Sequence, residues 1–91
     1  MIVRIATERQ YRLPDDQFER LNELDNAVVH AVDAGDEAEF ERRFAALLDN
    51  ARSGEPLEEG ELAPSDLILP PPDLSIAEAA HDFSGEGLIP D

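Results

Sequence analysis

The chain has 91 residues, 22 of them Asp or Glu against seven Arg and no Lys, for a formal net charge of -15. It has no Cys, which excludes a disulfide framework, a thiolate metal site and a Cys nucleophile, and its length suits one domain with one modest core. Phosphate backbones and anionic bilayers repel such a chain, so neither nucleic acid nor direct membrane insertion is expected.

Residues 2–6, Ile-Val-Arg-Ile-Ala, place β-branched residues around a lone Arg and predict a short strand. After the polar break Thr7-Glu8-Arg9, the segment Gln10-Tyr11-Arg12-Leu13 alternates polar and apolar. The two form a β-hairpin over residues 1–13, too small to stand without a helix packed on it. Pro14 ends the second strand and suits a helix start, and Asp15 and Asp16 follow where carboxylates oppose the positive end of a helix. Phe18, Leu21, Leu24, Val28, Ala31 and Val32 then recur at steps of three and four, predicting an amphipathic helix over 15–33. Gly35 stops it, Asp36 caps the next, and Phe40, Phe44, Leu47, Leu48 and Ala51 form a second apolar stripe. So short a link predicts an antiparallel αα-hairpin over 14–53.

Residues 54–64 have no period and read as loop. Ser65-Asp66-Leu67-Ile68-Leu69 is a brief apolar run cut off by Pro70-Pro71-Pro72, as suits a third short strand at a sheet edge. Ser75 with Glu78 makes a capping box for a short helix carrying Ile76, Ala79, Ala80 and Phe83. The tail Ser84–Asp91 still contains Leu88 and Ile89. The predicted fold is α+β and a single domain, 1–91: an N-terminal β-hairpin (1–13) packed on an αα-hairpin (14–53), then a Pro- and Gly-containing loop, a short strand, a short helix and a tail (54–91). The expected core is Val3, Ile5, Tyr11, Leu13, Phe18, Leu21, Leu24, Val28, Phe40, Phe44, Leu47 and Leu48.

Catalytic signals are weak. His30 and His81 fall on different helices, whereas a metal or catalytic site needs converging groups. Ser53, Ser65 and Ser75 suit a helix end, a turn and a cap. No GxSxG, HExxH, P-loop or GxGxxG pattern occurs. The expectation is therefore no enzyme, no catalytic or metal residues and no cofactor. The residues behind Met1 form neither a long apolar stretch nor a cleavage site, so a cytoplasmic location is expected. Acidity without Lys points to adaptation to a salty cytoplasm, with screening of self-repulsion. The thermal midpoint is then expected to rise steeply from about 0.1 M to molar monovalent salt, and a flat melt would remove that explanation. The alternative is a nucleic-acid mimic that blocks a basic protein. A carboxylate- or metal-dependent hydrolase is the remaining reading.

The order of Met1-Ile2-Val3-Arg4-Ile5, Gln10-Tyr11-Arg12-Leu13, Leu21-Asn22-Glu23-Leu24-Asp25, Pro64-Ser65-Asp66 with Leu69-Pro70, and Glu86-Gly87-Leu88-Ile89-Pro90 resembles the small PspA-associated (PspAA) family. Those proteins occur beside phage-shock protein A homologues in actinobacteria and archaea. The chain departs from the pattern at Arg9, a turn position where Gly is expected if the backbone takes a positive φ. The resemblance implies a cytosolic partner of a PspA-type, membrane-remodelling helical protein in envelope-stress response. It brings no catalytic residues.

The first half of the chain is self-sufficiently amphipathic, whereas the second carries stiff apolar segments. Leu67, Leu69, Leu74, Leu88 and Ile89 are accordingly the candidate partner-binding residues, with acidic surroundings steering toward basic faces of a helical partner. Burial of all five in the monomer, or use in a homodimer, is the alternative.

Overall fold

The computed structural model describes residues 1–58 and 63–82, with the side chains of His81 and Asp82 left out of account. Its elements run β1 (Ile2–Ile5), β2 (Gln10–Arg12), a 3-10 turn (Asp15–Gln17), α1 (Phe18–Ala34), α2 (Glu37–Arg52), β3 (Glu55–Pro56), β4 (Leu67–Leu69) and α3 (Ile76–Asp82). This is the expected α+β arrangement of β-hairpin, αα-hairpin, short strand and short helix.

The helix ends follow from local chemistry. Gly35, at φ 67°, adopts the left-handed conformation that lets its N–H reach back to the last carbonyls of α1. Asp36 caps α2 by accepting from the Glu39 N–H at 3.2 Å. The capping box of α3 is formed: the Glu78 N–H donates to Ser75 Oγ and the Ser75 N–H to Glu78 Oε1, both at 3.2 Å.

The sheet order is β3-β2-β1-β4, with β1 antiparallel to β2, β2 antiparallel to β3, and β1 parallel to β4. The third strand expected near 67–69 is thus real, and it runs beside the first strand of the chain with Val3 opposite Leu67. The loop expected over 54–64 hides the two-residue strand β3. Gly54 brings that strand in close, since a Cβ there would lie 2.7 Å from the Arg12 carbonyl oxygen. The Leu57 N–H then bonds the Gln10 carbonyl at 2.9 Å, and the Leu57 side chain is buried.

The helices cover one face of the sheet. Val3 and Ile5 from β1, Leu69 from β4, and Leu13 meet Leu21, Val28, Phe40, Phe44, Leu47 and Leu48 in a single cluster. Ten of the twelve expected core residues are buried. The other two differ for positional reasons. Phe18 is 43% exposed because it opens α1, where side chains lean back toward the N-terminus and overhang the preceding turn. Tyr11 is half-buried, because its neighbour on the sheet is Pro56 of the two-residue edge strand. Periodicity did not announce Asp25, which is fully buried in α1 and held in a polar or electrostatic interaction.

The positive φ of the hairpin turn falls on Thr7, at 69°, and not on Arg9. The Glu8 N–H closes the turn onto the Ile5 carbonyl at 2.9 Å, so Thr7 is its third residue, the place in a type II turn that favours Gly or Asn. A β-branched residue is strained there. Thr7→Gly is expected to raise stability by about 0.5–1 kcal/mol, the relief of left-handed strain being partly offset by glycine's larger unfolded-state entropy. Urea denaturation of the two proteins reads this directly, and a destabilised variant would contradict it.

Candidate functional site

Of the residues singled out as partner anchors, the three described ones, Leu67, Leu69 and Leu74, do not share one exposed surface. Leu69 has 0% exposure and belongs to the core, because the register with Ile5 turns it toward the helices. Leu67, level with Val3, is half-buried against the same cluster. Leu74 packs at the edge of that cluster and lines a groove of about 420 Å³ with Phe40, Phe44, Pro72 and Ile76. Leu88 and Ile89 lie outside the described residues.

The residue that sequence reasoning passed over is Ile68. It is 59% exposed on β4, pointing away from the helices between two residues that point toward them. A period-two reading of Leu67-Ile68-Leu69 separates Ile68 from its neighbours once a strand is accepted there. Pairing registers bring Arg4 beside both Gln10 and Ile68, and Ile2 beside Arg12. The outer face of the sheet therefore carries Ile2, Arg4, Gln10, Arg12 and Ile68, with Glu55 opposite Arg12 and the buried Leu57 beside Gln10. Its floor is fixed: Gln10 Nε2 donates to the Ala63 carbonyl at 2.7 Å and to Ser65 Oγ at 2.8 Å, fastening the 63–65 segment across the strands. Arg4, Gln10, Ala63, Pro64, Ser65 and Ile68 together line a shallow depression.

Four arginines on the helices are matched to acids, whereas Arg9 in the hairpin turn is exposed with no ion pair among the described residues. Arg20 pairs with Glu23, both Arg42 and Arg43 with Glu39, and Arg52 with Glu8 and Asp49. Arg4 is exposed and has no ion-pair partner among the described residues. Two carboxylates of the described residues stand at the outer face. Glu55 sits beside Arg12, and Asp66 accepts the Ile2 N–H at 2.7 Å.

The Glu8–Arg52 pair fastens the hairpin turn to the end of α2 through two bonds of 2.6 and 3.2 Å. The Arg52 hydrogen bonds hold the Glu8 carboxyl below the usual range, and Glu8 in turn raises the Arg52 guanidinium. A carboxyl lowered by folding contributes stability above its unfolded pKa and loses it as pH falls through the folded value. Both partners are about a quarter to a third exposed, so the contribution is held to about 1 kcal/mol. Denaturation from pH 7 down to pH 3 should show a smaller acid-induced loss in Glu8→Gln than in the parent. Identical pH slopes would remove the pair from the account of acid sensitivity.

His30 is exposed on α1, and among the described residues no three His, Asp or Glu side chains are grouped to hold a metal ion. No described helix is long and apolar enough to cross a membrane. A family model described as PspA-associated protein matches residues 1–91. No curated protein and no solved structure matches the chain.

Proposed function

Since the chain belongs over its whole length to the PspA-associated protein family, we propose that it is a non-catalytic cytosolic adaptor or regulator that acts by binding a PspA-type helical protein in the envelope-stress response. The observation that carries this reading is the extent of the match. It includes the Pro-rich 63–74 strip and the final residues as well as the hairpin and helices, so the segments beyond the main helical pair belong to the family pattern. The exposed Ile68 adds a surface of the right kind, since an apolar side chain set in a polar rim suits an interface.

The test is titration calorimetry of the purified chain against the purified PspA-type protein of the same organism, at that organism's internal salt concentration. A saturable complex with a Kd at or below about 10 µM is expected. Absence of heat, together with separate elution of the two proteins on gel filtration, would end this reading.

A further inference from the structure

Around the starts of α2 and α3 the acidic side chains fall into two groups. Asp36 and Glu78 cap the two helices, and Glu39 is shared by Arg42 and Arg43. Glu37, Glu41 and Asp73 are exposed and make no hydrogen bond or ion pair among the described residues. These three border the groove of about 420 Å³ that Leu74 and Ile76 share with Pro72 and α2. Glu37 and Glu41 stand one turn apart on α2, a spacing at which like charges repel. An apolar groove thus carries three uncompensated negative charges at its rim.

Both sides of the groove are fixed. α2 supplies one, with Glu37, Glu41 and Ala45 in line along roughly 12 Å of helix. The other is a turn, closed by the Leu74 N–H on the Pro71 carbonyl at 3.1 Å, with Pro72 and Asp73 at its corner. The pyrrolidine ring locks the φ of Pro72, and the Ser75–Glu78 capping box holds Ile76 at the start of α3. A seat built in this way has little freedom left to lose on binding.

Charge decides between occupants. Residues 83–91 contain Glu86 and Asp91 and neither Lys nor Arg, and a second copy brings a further -15. Both have the wrong sign for this rim. We propose that the groove receives an apolar side chain from a helix of the partner whose apolar stripe is flanked by Arg or Lys. This deepens the proposed function and rests on it. The apolar side chain rests against Pro72, Leu74 and Ile76, and the flanking cations meet Glu37, Glu41 and Asp73. The net charge of the chain draws such a helix in from a distance, and the contact pairs persist where molar salt shortens the Debye length to about 3 Å.

The experiment repeats the calorimetric titration with variants first checked for an unchanged or raised melting midpoint. Ala45→Arg puts bulk and a cation into the groove, and one turn beyond Glu41 it supports the helix. Its affinity should fall by about tenfold or more. The triple variant Glu37→Gln, Glu41→Gln, Asp73→Asn should lose a similar factor. Asp16→Asn, Glu19→Gln, Glu58→Gln removes three exposed charges elsewhere and should stay within about threefold of the parent. If the two triple variants weaken binding equally, net charge and not the groove is responsible, and the proposal is overturned. If the parent binds and Ala45→Arg binds as tightly, the groove is wrong and the adaptor reading stands. If the parent does not bind, both fall. The chain has no Cys, so Ala45→Cys is a unique probe of the groove. Its alkylation by iodoacetamide should slow several-fold when the partner is added, whereas that of Glu19→Cys should not. An Ala45→Cys thiol protected in the chain alone until urea unfolds it would mean that residues 83–91 or a second copy fill the groove, and would overturn the proposal.

Discussion

Phe44→Ala should lower the unfolding free energy by about 3–5 kcal/mol, the range for removing a buried aromatic ring. The ring is 4% exposed and stacks on Phe40, with centroids 5.4 Å apart and planes 11° from parallel. It serves two contacts at once. It fills the seam where α2 lies on α1, and it forms the floor on which Leu74 and Ile76 rest. Truncation therefore leaves a cavity that neither neighbour can close alone. Offset-stacked rings add about 0.5–1.5 kcal/mol beyond their buried area, and that is lost too. Domains of this size are stable by only about 5–14 kcal/mol, so the variant should sit close to its unfolding threshold. Urea titration of parent and variant decides the matter. A loss below about 1 kcal/mol would place the ring at the surface.

Leu69→Ala should cost about 2–5 kcal/mol, while Ile68→Ala, one residue away, should change stability by no more than about 0.5 kcal/mol. The contrast follows from strand alternation: Leu69 has 0% exposure and Ile68 59%. Leu69 is also the inward residue at the end of β4, level with Ile5, and its carbonyl accepts the Ala6 N–H at 2.9 Å. Its loss should loosen the only strand that borders β1 on that side. The pair of variants separates core from surface at the strip where sequence reasoning placed partner contacts. Equal losses at both positions would mean that β4 is not pleated as described.

Much of the fold was legible because it is periodic. The stripes from Leu21 to Val32 and from Phe40 to Ala51 repeat every three or four residues, and their ends are written in Gly35, Asp36, Ser53 and Gly54. The capping box at Ser75 was legible for the same reason, since it rests on spacing alone. What escaped reading depends on contacts distant in sequence. The strand β3 has two residues and includes a proline, so it carries no period, and only its pairing with Tyr11 and Arg12 defines it. The outer face was illegible because it assembles from three separated strands. Arg4 and Gln10 meet through the hairpin, but Ile68 joins them only through the parallel register, which no local pattern states. Leu67, Ile68 and Leu69 read as one apolar run until the pleat divides them.

The parallel pairing of Val3 with Leu67 also sets the order of events during synthesis. β1 leaves the ribosome first, and its partner strand follows 64 positions later. At about 5–20 residues per second, that interval is roughly 3–13 s. Meanwhile the hairpin can form and the two helices can pair, because their contacts are local. The side of β1 that will receive β4 stays open throughout, with Val3 and Ile5 lacking the neighbour that completes their burial. Closure of the sheet is therefore the late step of assembly. A nascent chain halted before residue 67 would display an unpaired apolar edge, the kind of surface that chaperones and proteases recognise.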